Sequence, residues 1–182
     1  GPDAGIGTNG SINSNSFAAI TADTMSAAGI NVEGMVEGHI GCVDGQTGAC
    51  GNQFTAEIKG KKGAIGIFIN DPDDGGQATA GIGTNGSINS NTFAAITAET
   101  NDARGIAVEG MVEGNIGCVN ATSSNCGNQF TGEIKGERYA TGIFINDVGP
   151  DAGIGTNGSI NSNSFAAITA KAQDVYGITI EG

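Results

Sequence analysis

An eighteen-residue run, GIGTNGSINSNSFAAITA, stands at 5–22, returns unchanged at 153–170, and returns at 81–98 with one Ser-to-Thr change. A chain that repeats itself this closely folds as an array, because each unit can bury its apolar face only by stacking on a neighbour. The problem therefore reduces to one repeat and to how repeats join.

The large period is about 74 residues, and a weaker one of about 37 lies inside it. Gly-Ile followed by an alternating apolar residue marks the shorter period. It occurs at Gly29-Ile30, Gly66-Ile67, Gly105-Ile106, Gly142-Ile143 and Gly177-Ile178, in steps of 37, 39, 37 and 35. Each segment has the period-two pattern of a short strand with one buried face. A second set ends at Ile20, Ile58, Ile96, Ile134 and Ile168, and a third, shorter set centres on Ile12, Ile40, Ile88, Ile116 and Ile160. No helical stripe accompanies them. Three brief strands per coil predict an all-β parallel β-helix, that is, a three-faced β-solenoid of about five coils of ~37 residues. The whole chain, 1–182, then forms one array with units near 5–80, 81–152 and a partial 153–182. At ~4.8 Å per rung it would be a rod roughly 24 Å tall.

Two details refine this reading. The third set is unevenly spaced, so long loops should alternate between two corners, one from Gly41 to Gln53 and the other from Pro72 to Ala80. In the second set alternation turns Ala18 and Ile20, or Ala56 and Ile58, inward, with Thr21, Glu57 and Lys59 outward. Phe17 lies three residues before its Ile whereas Phe54 lies four before, so a bulge or corner shift is required for both to face the core.

Composition narrows the class. Thirty-three glycines, 38% hydrophobic residues and no tryptophan imply a thin core, and the absence of a Gly-X-Y period excludes collagen. A net charge of −12 argues against nucleic acid, which demands a basic footprint. No apolar run approaches membrane-spanning length. The start at Gly1, with no signal peptide, reads as a processed or excised piece of something longer.

The GSINSNS-, FAAITA- and YGITIEG-type units resemble the passenger regions of bacterial autotransporters and filamentous haemagglutinin-like adhesins. The likeness covers nearly the whole chain. It implies a right-handed parallel β-helix displayed outside the cell for adhesion or surface coating. The paired cysteines depart from that family, and another secreted β-solenoid fibre fits as well.

Cys42 and Cys50 bracket one long loop, and Cys118 and Cys126 bracket its counterpart. Loops two coils apart lie roughly 10 Å from each other, beyond the ~7 Å reach of a disulfide. Local pairs are therefore favoured, which points to an oxidising, extracellular compartment; free buried thiols are the alternative. Zinc has too few ligands, since His39 is matched by Asn115 in the other repeat. All seven basic residues fall between the second-set strand and the next Gly-Ile strand, whereas the opposite corner is purely acidic. Glu33, Asp71, Glu109 and Asp147 are the candidate calcium ligands there; a solvated acidic edge is the alternative reading. Along one ladder Glu33, Asn70, Glu109, Asn146 and Glu181 should alternate, keeping like charges apart. Asn9, Asn85, Asn120 and Asn157 open glycosylation sequons, three of them inside Asn-Gly turns.

Catalysis has little support: the single histidine does not recur, and a carboxylate pair such as Glu33 and Glu37 lacks aromatic sugar platforms. The expected function is an extracellular, cell-surface structural or adhesive solenoid forming a fibre, stalk or surface layer. Its expected partners are copies of itself end to end, flanking repeats, and host or surface glycans, with no cofactor apart from the candidate calcium. The rival readings are a carbohydrate-active lyase or hydrolase on a β-helix, and a calcium- or ice-binding module. Ice binding ranks last because Thr8, Thr84 and Thr156 recur only on every second coil.

Overall fold

A computed structural model describes residues 5–43, 50–70, 80–118, 126–146 and 153–181. Every described strand pairs in parallel, and no helix occurs among the described residues. The chain winds as a β-solenoid of five rungs, about 37 residues apart, as the Gly-Ile spacing implies.

The Gly-Ile segments form the longest ladder: Ala27–Glu33, Ala64–Asn70, Ala103–Glu109, Ala140–Asn146 and Val175–Glu181. Ile30, Ile67, Ile106, Ile143 and Ile178 share one row, with Val32, Ile69, Val108, Ile145 and Ile180 beside them. The second and third sets form their own ladders. A fourth ladder was not anticipated: Gly5–Ile6, Met35–Val36, Gly81–Ile82, Met111–Val112 and Gly153–Ile154. Two-residue strands carry no alternation for sequence reasoning to detect.

The Phe offset has a physical resolution. Phe17, Phe54, Phe93, Phe130 and Phe165 all point inward in one continuous stack, with ring centroids 4.5–4.9 Å apart and planes within 15°. The extra residue of every second coil is absorbed between Phe and Ile, seen as a register shift between Phe130 and Glu133 against the following rung. The expectation that Ala18 and Ala56 face inward is corrected accordingly. Phe takes the inward place, while Ala18 is exposed and Ala56 half-buried at the kink between the Phe and Ile rows.

That stack explains why a glycine precedes each ladder Ile. A Cβ on Gly29 would meet the Phe54 ring, on Gly66 the Phe93 ring, on Gly105 the Phe130 ring and on Gly142 the Phe165 ring. Each would also strike the carbonyl of the next glycine in the column. The ring edges abut a backbone that carries no side chain there.

The core is not wholly apolar. Asn15, Asn52, Asn91, Asn128 and Asn163 form a second column, and the middle three are fully buried. The Nδ2 of each of the first four donates to the Oδ1 of the asparagine on the next rung at 2.8–2.9 Å. From Asn52 onward its second hydrogen goes back to a carbonyl of the preceding rung: Ile12, Ile40, Ile88 and Ile116 at 2.8–2.9 Å. Each Oδ1 from Asn52 onward also accepts a backbone N–H of the rung before. Four groups that burial would otherwise leave unpaired are thus satisfied per amide, which is what makes a polar column tolerable in a thin core.

Candidate functional site

Two kinds of coil alternate. The first, third and fifth coils turn the corner between the third-set strand and the Asn-x-Phe segment directly, through Asn13-Ser14, Asn89-Ser90 and Asn161-Ser162. In these the serine takes the left-handed conformation, with φ of 55–57°. The second and fourth coils insert a loop there and close it with the disulfides Cys42–Cys50 and Cys118–Cys126. The Cα atoms of each pair are 4.9 Å apart, so the chain leaves and rejoins the coil at nearly one point. Local pairing is therefore observed for all four cysteines. The loop interiors, 44–49 and 119–125, lie outside the described residues.

The disulfide residues are stitched into the rungs on either side. Ser14 N donates to Cys50 O and Ser90 N to Cys126 O, both at 2.9 Å. On the other side Asn89 grips Cys42 with both amide atoms, Oδ1 accepting its N–H at 2.8 Å and Nδ2 donating to its carbonyl at 3.0 Å. Asn161 grips Cys118 in the same way, at 2.8 and 3.1 Å. Opening one disulfide by Cys118→Ser with Cys126→Ser is expected to cost about 2.5 kcal/mol in the chain-entropy model for a loop this short. A fall in Tm of the double variant, a fall about twice as large when reductant opens both bridges of the parent, and none when reductant is added to a variant lacking both, would check it.

The basic corner is as the sequence placed it. Lys59 and Lys61 both reach Glu99 of the next coil at 2.7 Å, Lys171 pairs with Glu137 at 2.9 Å, and Arg104 with Asp102 at 3.3 Å. Arg104 also lies 4.1 Å over the Phe144 ring. The Lys59 hydrogen bond, then that from Lys61, holds the Glu99 carboxyl down at about 2. A depressed carboxyl stabilises above its ordinary value, near 4.5, and that contribution drains as pH falls towards about 2. Glu99→Gln should therefore flatten Tm against pH across that window. High salt should do much the same, since the pairs are exposed.

At the opposite corner Glu33 pairs in register with Asn70, and Glu109 with Asn146, which in turn pairs with Glu181, so the expected Glu–Asn alternation holds. Of the four candidate calcium ligands, Glu33 and Glu109 stand two rungs apart on this ladder, while Asp71 and Asp147 lie outside the described residues. Among the described residues no three His, Cys, Asp or Glu gather into a cation-binding group. Asn9, Asn85 and Asn157 sit exposed in β-turns closed by Gly10, Gly86 and Gly158 N–H donating to Gly7, Gly83 and Gly155 at 2.7–2.9 Å. Asn120 lies outside the described residues. His39 Nδ1 meets Ser87 Oγ at 2.8 Å within the third ladder, a contact between neighbouring rungs.

The remaining candidate surface is the last described rung. On the last rung Val175, Tyr176, Ile178 and Ile180 are 41–48% exposed, whereas Ile106 and Ile143 in the same rows are fully buried. Comparison with known protein families, curated proteins and solved structures returned no match. No described helix is long and apolar enough to cross a membrane. The protein is, on its fold, a parallel β-solenoid repeat protein.

Proposed function

We propose that this chain is an extracellular structural element, a stiff solenoid segment of a fibre, stalk or surface layer whose open ends join further coils. The observation that carries the reading is the regular parallel stacking of near-identical coils, each ladder running in register through all five rungs. The open strand edges of such a stack template further strands. The two disulfides support an oxidising compartment. Near-identical coils give an even surface rather than one differentiated cleft, which suits a scaffold better than a catalyst. Surface glycans are the partners of an adhesive variant of this role, and no cofactor is required for it.

Negative-stain microscopy of concentrated protein, with and without calcium chelator, is expected to show rods of one uniform width in both conditions. Release of reducing or unsaturated ends from a panel of polysaccharides, or aggregates of no uniform width, would overturn the structural reading.

A further inference from the structure

The alternation of coil types gives the open ends a specificity. We propose that each end accepts only a disulfide-type coil, one carrying Gly-Cys…Cys-Gly-Asn-x-Phe, and refuses a direct-type coil. Copies of this chain, direct-type at both ends, then do not join in register. The inference rests on the structural reading above and names the partner of its open rungs.

At every internal junction the corner bonds are between unlike coils. A direct coil below gives its serine N–H to a disulfide coil above, Ser14 to Cys50 and Ser90 to Cys126. A disulfide coil below offers one residue's N–H and C=O together to the asparagine of a direct coil above, Cys42 to Asn89 and Cys118 to Asn161. The disulfide coils are also glycine at the two corner positions beneath those carbonyls. A Cβ on Gly41 or Gly117 would land on the carbonyl of Asn89 or Asn161, and one on Gly51 or Gly127 on that of Ser90 or Ser162. Direct coils carry Asn and Ser at these same positions, as the pairing of Gly41 with Asn89 fixes.

Joining the fifth coil of one copy to the first of another would set direct on direct. Asn13 would then seek an N–H and a carbonyl from one residue below. Ser162 turns its carbonyl away, down onto Gly127, so the two-point grip cannot form. Ser162, where a disulfide coil has glycine-flanked cysteine backbone, would meanwhile turn its hydroxyl up as Ser14 and Ser90 do, towards a cysteine carbonyl that a direct coil does not supply.

The chain closes on Glu181-Gly182, which matches Glu109-Gly110 before the fourth coil, so residues 111–146 can be appended directly after Gly182. That six-coil chain has complementary ends. It is expected to polymerise into threads under oxidising conditions, while the parent and a control extended by residues 5–33 remain single at the same concentration. Asn13→Ala in the six-coil chain, which deletes both grip bonds, should raise the concentration for half-assembly at least about tenfold. Circular dichroism and protease resistance establish that each chain is folded. Threads from the parent or from the control would overturn the pairing rule while leaving the structural reading intact. A folded six-coil chain that stays single, or assembly indifferent to Asn13→Ala, would also overturn the rule. Polysaccharide turnover by the parent would instead remove the structural reading.

Discussion

Asn91→Asp is expected to destabilise the solenoid more than any other single-atom-scale change, by about 3–5 kcal/mol, the range for an uncompensated buried charge. Asn91 is fully buried; its Nδ2 donates to Asn128 Oδ1 and to Ile40 O, both at 2.9 Å. Aspartate replaces those donors with an acceptor facing two acceptors, and carries a charge that burial penalises. Asn91→Ala should cost about 3 kcal/mol, because Asn52 N–H and Nδ2, Ile40 O and Asn128 Oδ1 all lose a partner at once. Asn15→Ala, at the exposed end of the same column, should cost about 1 kcal/mol or less. Thermal unfolding together with hydrogen exchange resolved by rung would read both the size and the place of the loss. Equal, small effects at positions 15 and 91 would show that the column contributes no more than isolated surface amides do.

Gly105→Ala should follow closely, with a loss of about 3 kcal/mol or more, at the upper end of overpacking costs. Its Cβ would land on Gly142 O and lie 2.7 Å from Phe130 Cε1. The carbonyl belongs to a ladder and the ring is held in a stack on both faces, so neither has room to yield. The same substitution at Gly177 meets nothing within 4 Å, since among the described residues no rung is stacked on it. Gly177→Ala is therefore expected to be neutral or slightly stabilising by limiting the unfolded chain. Unfolding midpoints of the two variants, measured side by side, test whether the ring stack rather than strand conformation demands these glycines.

The two columns show what was legible beforehand and what was not. The Gly-Ile ladder announced itself through period-two alternation over seven residues, and the disulfides through their spacing. The asparagine column was equally regular: Asn-x-Phe recurs at 15, 52, 91, 128 and 163, in the same steps of 37, 39, 37 and 35. It passed unread because asparagine beside glycine and serine is the usual composition of a loop. Only a neighbouring coil reveals that such a residue faces inward, since each amide is satisfied by partners some 35 to 51 residues away. The Phe offset was visible as a conflict, and its resolution by a bulge needed the stack. The difference between Asn13-Ser14 and Cys42…Cys50-Gly51 as matching surfaces depends on where backbone carbonyls point, which no residue pattern encodes.

Repetition this close carries a hazard during folding. The runs at 5–22, 81–98 and 153–170 are nearly interchangeable, so a growing solenoid could recruit the wrong one. The alternating corners divide such mistakes into two classes. A slip of one coil sets like upon like, loses the amide grip on the cysteine backbone, and is penalised as it forms. A slip of two coils finds every local bond it seeks and leaves about 74 residues looped out, an error that no rung can sense by its own contacts. Proofreading of the array is thus good to one rung and blind to two.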